Sequence, residues 1–277
     1  MTPQTVLSAF FWLTAVVYAL AFGLFAVALV FRKPRTLGHA IVVAWAGFFL
    51  HTVVVVARWV QTGHPAFVSY FESMSASAWF GMLAYLALQQ WKPFLRPAGA
   101  GLMPLIVLLM GWAGTHPFGG ESLPVSLQSF WLFVHAGFAT AAAGCFLFAA
   151  GVSAVRLYQQ RRNAPSDPAL HIAPGDRYDE FNFRLILLGF VFWGIMTVSG
   201  AIWADGAWGR YWAWDPVEVW SLISWLVYAI YLHIYAVWRR LRGVFLAWYS
   251  ILGALFVAVS LWGIRFLYET LHTYGSN

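Results

Sequence analysis

The chain has 277 residues, 61% of them hydrophobic and only 9% charged, with a formal net charge of +6. A soluble domain carries about 25% charged residues, and several apolar runs here reach the roughly 20 residues that cross a bilayer. An ordinary soluble enzyme is excluded, and so is a β-barrel, whose strands are about ten residues long and alternate in polarity.

The pattern predicts an all-α polytopic membrane protein: one integral domain over 1–277, with about eight transmembrane helices. Met1 to Phe31 lacks a basic n-region, and its apolar run is too long for the h-region of a signal peptide. The first span, about 6–31, is therefore expected to be retained. Span two covers about 38–60, span three 74–91 and span four 99–114. A Gly/Pro-rich loop from Thr115 to Ser126 leads into span five, about 128–155. The longest polar segment, 156–184, precedes span six at about 185–203. An aromatic stretch over 204–220 leads into span seven at about 217–238, and span eight covers about 244–266.

Basic residues set the orientation of such a chain. Arg32, Lys33, Arg35, Lys92, Arg96, Arg156, Arg161, Arg162, Arg177, Arg184, Arg239, Arg240 and Arg242 fall in one set of loops. Only Arg58, Arg210 and Arg265 fall in the other. Both termini and the 204–220 stretch are thus expected outside, with the 156–184 loop in the cytoplasm. This bias accounts for the positive charge, and no nucleic-acid partner is implied; the bilayer is the partner. Short loops and the lack of a transit peptide fit a bacterial inner membrane, with a thylakoid membrane as the alternative.

The single cysteine, Cys145, sits within an apolar run and reads as a packing residue. It allows no disulfide within the chain, and there is neither a C-x-x-C pair nor a C-x-x-C-H attachment signature. No Ser/His/Asp arrangement and no phosphate-binding glycine loop is present.

The chemistry concentrates in the aromatic stretch and the histidines. Trp208, Arg210, Tyr211, Trp212, Trp214, Asp215, Glu218 and Trp220 fall within thirteen residues. Asp215 suits an N-cap, Pro216 the first helical position and Glu218 the third, so both acids have a structural reading as a helix start. An interfacial aromatic belt would scatter its tryptophans over all spans; here they cluster. Helical rise places His135 roughly 31 Å from Arg156, at the outer edge of span five. His272, past span eight, falls at the same level as the aromatic stretch. His233 lies about 9 Å from Arg239, within hydrocarbon, where an ionisable group is costly and usually functional. His51 lies in the outer half of span two, while His64, His116 and His171 read as surface residues in polar loops. Two histidines at one level, beside a tryptophan platform, suit bis-histidine ligation of haem iron. Arg58, Arg210 or Arg265 could meet the propionates.

The run Trp208-Gly-Arg-Tyr-Trp-Ala-Trp-Asp-Pro-Val-Glu-Val-Trp220, continued by Ser-Leu-Ile-Ser-Trp and Tyr231-Leu-His233, resembles the tryptophan-rich WWD signature of haem-handling proteins. Within that group it is similar to the CcsA (ResC) branch of cytochrome c assembly proteins. Leu127-Gln-Ser-Phe-Trp-Leu-Phe-Val-His135 resembles that branch's first external histidine segment, and Leu271-His-Thr-Tyr-Gly275 its second. His51-Thr52, Arg58-Trp59, Gly63-His-Pro65 and Tyr70-Phe-Glu-Ser73 resemble its second-span motif. The resemblance covers about residue 45 to the end. Val217 and Val219 depart from it, standing where the branch usually has Lys and Thr.

The resemblance implies a part in cytochrome c biogenesis: holding haem b, non-covalently and transiently, at the outer face for thioether attachment to a C-x-x-C-H apocytochrome c. His135 and His272 would ligate this haem, and Trp208, Arg210, Trp212, Trp214, Asp215 and Trp220 would hold it. His233 would ligate a second haem within the membrane, completed by a CcsB/ResB-type partner or by His51. Together these would form a cytochrome c synthetase, in which this chain's share is placement. Two other readings stand beside it: a haem exporter without a ligation role, and a di-haem electron carrier.

Overall fold

A computed structural model describes residues 3–116, 127–162 and 166–268, with side chains for all of these except Pro3 and Arg265. Eight α-helices make up most of them: α1 (Pro3–Val30), α2 (Pro34–Thr62), α3 (Tyr70–Trp91), α4 (Gly99–Ala113), α5 (Phe130–Arg161), α6 (Gly175–Trp208), α7 (Pro216–Val237) and α8 (Val244–Ala258). A π-helical turn, Val259–Gly263, extends α8. By length and composition, seven segments can cross a membrane. The eighth helix, α3, has the length (roughly 33 Å over its 22 residues) but a lower hydropathy. The reason is local: Glu72, Ser75, Ser77 and Gln89 on α3 are all buried inside the bundle. Its polarity is satisfied within the protein, as a membrane demands.

The helix ends correct several expected boundaries. Span three begins at Tyr70 because Ser69 and Glu72 form a capping box. Most of the expected 156–184 loop is helix, since α5 runs on to Arg161 and α6 starts at Gly175. Likewise, 204–208 completes α6, so the non-helical part of the aromatic stretch is Gly209 to Asp215.

Helix α5 is the hub, packed against α3, α4, α6 and α8. Its Ala- and Gly-rich sequence from Ala141 to Gly151 lets neighbouring backbones approach, as membrane helices require without a hydrophobic drive. A Cβ at Gly144 would lie 2.7 Å from the Gly81 backbone nitrogen of α3. Polar contacts pin the bundle: Asn182 Nδ2 of α6 donates to Ser153 Oγ of α5 at 2.8 Å and to Ser250 Oγ of α8 at 3.3 Å.

Successive helices run antiparallel, which divides the bundle into two ends. At one, the Tyr158 hydroxyl donates to the Leu29 carbonyl at 2.8 Å, Arg32 pairs with Asp167, and Arg156 pairs with Asp179 at 3.3 Å. Arg96 Nη1 donates to His171 Nε2 there at 3.0 Å. Burial, and then the Arg96 charge, lower the His171 pKa below its ordinary 6.5. The basic loops all lie at this end. At the other end Phe11 meets Phe71 edge-on, and the starts of α3, α5 and α7 gather around the end of α8.

Candidate functional site

His135 sits on the second turn of α5, half-buried, at the end away from the basic loops. Its Nδ1 lies 2.8 Å from the Met196 carbonyl of α6. A carbonyl only accepts, so Nδ1 carries a proton; in the neutral ring the lone pair is then on Nε2. Metal-ligating histidines are oriented by this kind of second hydrogen bond. The ring reaches α6 because residue 200 is glycine; a Cβ there would lie 2.5 Å from Nδ1.

His135 lines two cavities, of about 100 and 90 Å³. The first opens toward α6 and α7 and is bordered by Tyr211, Trp212, Glu218 and Ser260. The second opens toward α3 and is bordered by Phe67, Tyr70, Ser77 and Trp262. Leu261 borders both, so the π-turn of α8 forms a wall common to the two. Such turns occur often at functional sites. Trp262 Nε1 donates to Ser73 Oγ at 3.0 Å and ties that turn to α3.

A capping box stands on each side of His135. On α7, Asp215 Oδ1 accepts from the Val217 amide at 3.0 Å, while Glu218 Oε2 accepts from the Ala213 and Asp215 amides at 2.8 and 3.2 Å. Both acids are buried. The predicted N-cap, proline and third-position acid all occur as read, and Glu218 also pulls the aromatic loop onto its own helix. On α3, Glu72 Oε2 accepts from the Val68 and Ser69 amides, and Glu72 Oε1 accepts from Arg58 Nε at 2.7 Å. Arg58 is thereby committed to a buried ion pair, with side chains 6% and 1% exposed. Of the three cations proposed for propionates, Arg210 stands exposed, and the Arg265 side chain lies outside the described set.

The four tryptophans divide by environment. Trp214 is 72% exposed and holds φ 57°, a conformation that costs a bulky L-residue of order 1–3 kcal/mol. Trp212 crosses it edge-on at 5.9 Å, and its buried Nε1 has no hydrogen-bond partner among the described residues. Trp208 packs on Trp203 at 4.9 Å in a small apolar cluster with Leu127 and Leu132. Trp220 lies against Phe256 of α8 at 5.2 Å. Trp212 borders the first cavity, while Trp208 and Trp220 pack onto neighbouring helices.

The remaining histidines scatter. His51 is fully buried, with Nδ1 3.3 Å from the Tyr18 hydroxyl and Nε2 2.9 Å from Ser75 Oγ, so both ring nitrogens bridge helices. His233 is exposed on α7, with Trp238 edge-on at 5.5 Å. His272 lies outside the described residues. His64 departs from its surface reading, being 8% exposed with Nδ1 on the Pro65 carbonyl. His116 stacks on Tyr70 at 5.3 Å.

A sequence model of the cytochrome C assembly protein family matches residues 67–272, most of the chain and both flanks of the His135 site. The chain belongs to that family. It is 30% identical over 272 residues to the cytochrome c biogenesis protein CcsA of Synechococcus sp. (strain CC9902), covering 85% of this chain and 86% of that one. The CcsA of Gossypium hirsutum is 28% identical over 267 residues, with 83% of each covered. Protein NrfI of Wolinella succinogenes is 32% identical over 261 residues, which is 92% of this chain but only 28% of that protein. Among solved structures, the fold resembles cytochrome c heme lyase CcmF at a TM-score of 0.68 and 20% identity, covering 96% of this chain and half of that one. As a family member, this chain is an all-α, multi-pass membrane protein of cytochrome c biogenesis.

Several site residues carry no distinct signal in the sequence. Gly200 and Met196 matter through their backbone positions opposite His135. The π-turn has no residue signature. Ser69-x-x-Glu72 does spell a capping box, and that motif points to the second flank of the site.

Proposed function

We propose that the chain holds haem b, non-covalently and transiently, at the His135 end of the bundle, and presents it for thioether attachment to a C-x-x-C-H apocytochrome c. The observation that carries this reading is His135: its tautomer is set by the Met196 carbonyl, and its ring stands between two aromatic-bordered cavities. The enclosed spaces are too small for a porphyrin, since sites for drug-sized ligands take roughly 300–1,000 Å³. A porphyrin would therefore have to be held at the open face, where Trp214 and Tyr211 are exposed. His272 would supply a second ligand to the iron, and Arg210 would meet a propionate.

In the reaction each cysteine S–H adds across a haem vinyl group: sulfur bonds one carbon and the proton ends on the other. The chain contributes placement, keeping iron coordinated until the substrate histidine replaces one ligand. The positive-inside bias puts the basic end in the cytoplasm and this site outside, in a bacterial inner membrane or its thylakoid counterpart. His233 ligates a second haem in transit. Its exposed position leaves that haem to be completed by a CcsB/ResB-type partner, and His51 serves the bundle instead. Export without ligation shares the same haem sites, and one assay separates the two. The chain is co-expressed with the partner and an apocytochrome, and covalent haem is stained after denaturing electrophoresis. Covalent cytochrome that depends on His135 supports the synthetase role. External haem accumulating while that product forms equally well without His135 contradicts it.

A further inference from the structure

At the basic end, a cleft of about 400 Å³ opens between the end of α3 and the start of α6. It shares no residue with the His135 site. Its floor is aromatic: Phe94 and Phe181 meet edge-on at 5.9 Å, and the Tyr178 hydroxyl fixes Phe94 by donating to its carbonyl at 3.0 Å. Trp91, 77% exposed, stands at its edge. Its rim carries Lys92, Arg177 and Arg184 against one carboxylate, Glu180. Arg184 pairs with Glu180 on the surface, at 70% and 58% exposure. Arg177 lies 5.2 Å over the Phe94 ring. No carboxylate among the described residues pairs with Lys92 or Arg177.

We propose that this cleft is a binding site for an anionic phospholipid, its phosphate among Lys92, Arg177 and Arg184 and its acyl chains along Trp91 and Phe94. Three cations against one carboxylate favour a net negative headgroup. A choline headgroup would set its own cation against the rim. Basic pockets between helices on the cytoplasmic side take anionic lipid headgroups, and an exposed tryptophan marks the interfacial depth at which they sit. The ordered aromatic floor distinguishes the cleft from a scatter of surface cations.

The test is lipid retention by the purified full chain, read by native mass spectrometry in detergent with added phosphatidylglycerol or phosphatidylcholine. The wild type is expected to retain phosphatidylglycerol and not phosphatidylcholine. Each cation removed should weaken retention roughly fivefold, and Lys92→Gln/Arg177→Gln/Arg184→Gln together roughly a hundredfold. Glu180→Gln should strengthen it, an effect in the opposite direction that loss of folding cannot mimic. Equal retention of the two lipids, or undiminished phosphatidylglycerol in the triple variant, overturns the proposal. A parallel hemin titration guards the assignment. If the triple variant loses hemin uptake but keeps phosphatidylglycerol, the cleft is a haem site and the lipid reading fails.

Discussion

At the scale of single residues, the described part of the site depends on how His135 and Trp214 are held. His135→Ala and His272→Ala should each abolish cytochrome c maturation, by removal of an axial ligand, and added imidazole should restore it; full activity in both variants would contradict the ligand role. Gly200→Ala puts a Cβ against the His135 ring. It should cost roughly 1–3 kcal/mol by overpacking and displace His135 from the Met196 carbonyl. Its haem spectrum should then resemble that of His135→Ala, and a wild-type spectrum would show that the ring tolerates the shift. Trp214→Gly separates strain from contact. Glycine accepts φ 57° without penalty, and a residue 72% exposed loses little burial. The melting temperature should hold or rise while maturation falls, whereas wild-type maturation would remove Trp214 from the platform. The His135 arrangement is not visible in the sequence, because it joins α5 to residues of α6 more than sixty positions away. His51 shows the same limit: its bonds to Tyr18 and Ser75 cross from α2 to two other helices.

At the scale of elements, local signals read well and long-range ones read poorly. The start of α7 follows from Asp215, Pro216 and Glu218, because caps are built from neighbours in sequence. The ends of α5 and α6 do not follow from charge. Charge marks where the bilayer ends, and a helix need not stop there, so α5 continues to Arg161 and α6 begins at Gly175. The two capping acids divide their work, which gives a paired prediction. Asp215→Asn should cost only a few tenths of a kcal/mol and leave maturation intact, since Asn caps about as well as Asp. Glu218→Ala should be far more damaging. It strips the Ala213 and Asp215 amides of their acceptor, at about 1–3 kcal/mol each if they stay buried, and frees the aromatic loop from α7. Thermal melting and maturation measured on both variants check this; equal damage would mean that the Asp215 charge has a role beyond the cap.

At the scale of the whole molecule, the eight-helix architecture was legible from apolar runs and basic loops, even for α3, whose buried polar residues lower its hydropathy. Depth follows from helical rise. His233 stands ~20 Å along α7 from Trp220, too far to share one haem with the platform. His233→Ala should therefore act upstream: low haem content as isolated, with a bis-histidine spectrum recovered when haem is added to the purified variant. Wild-type haem content as isolated would make His233 a passenger. The most direct measurement of the central claim is the visible spectrum of the haem-loaded chain, purified after co-expression with a CcsB/ResB-type protein, for wild type and His135→Ala with and without imidazole. The account predicts a low-spin, six-coordinate spectrum in the wild type, a high-spin spectrum in the variant, and return to low spin on adding imidazole. An unchanged low-spin spectrum in His135→Ala without imidazole would contradict it.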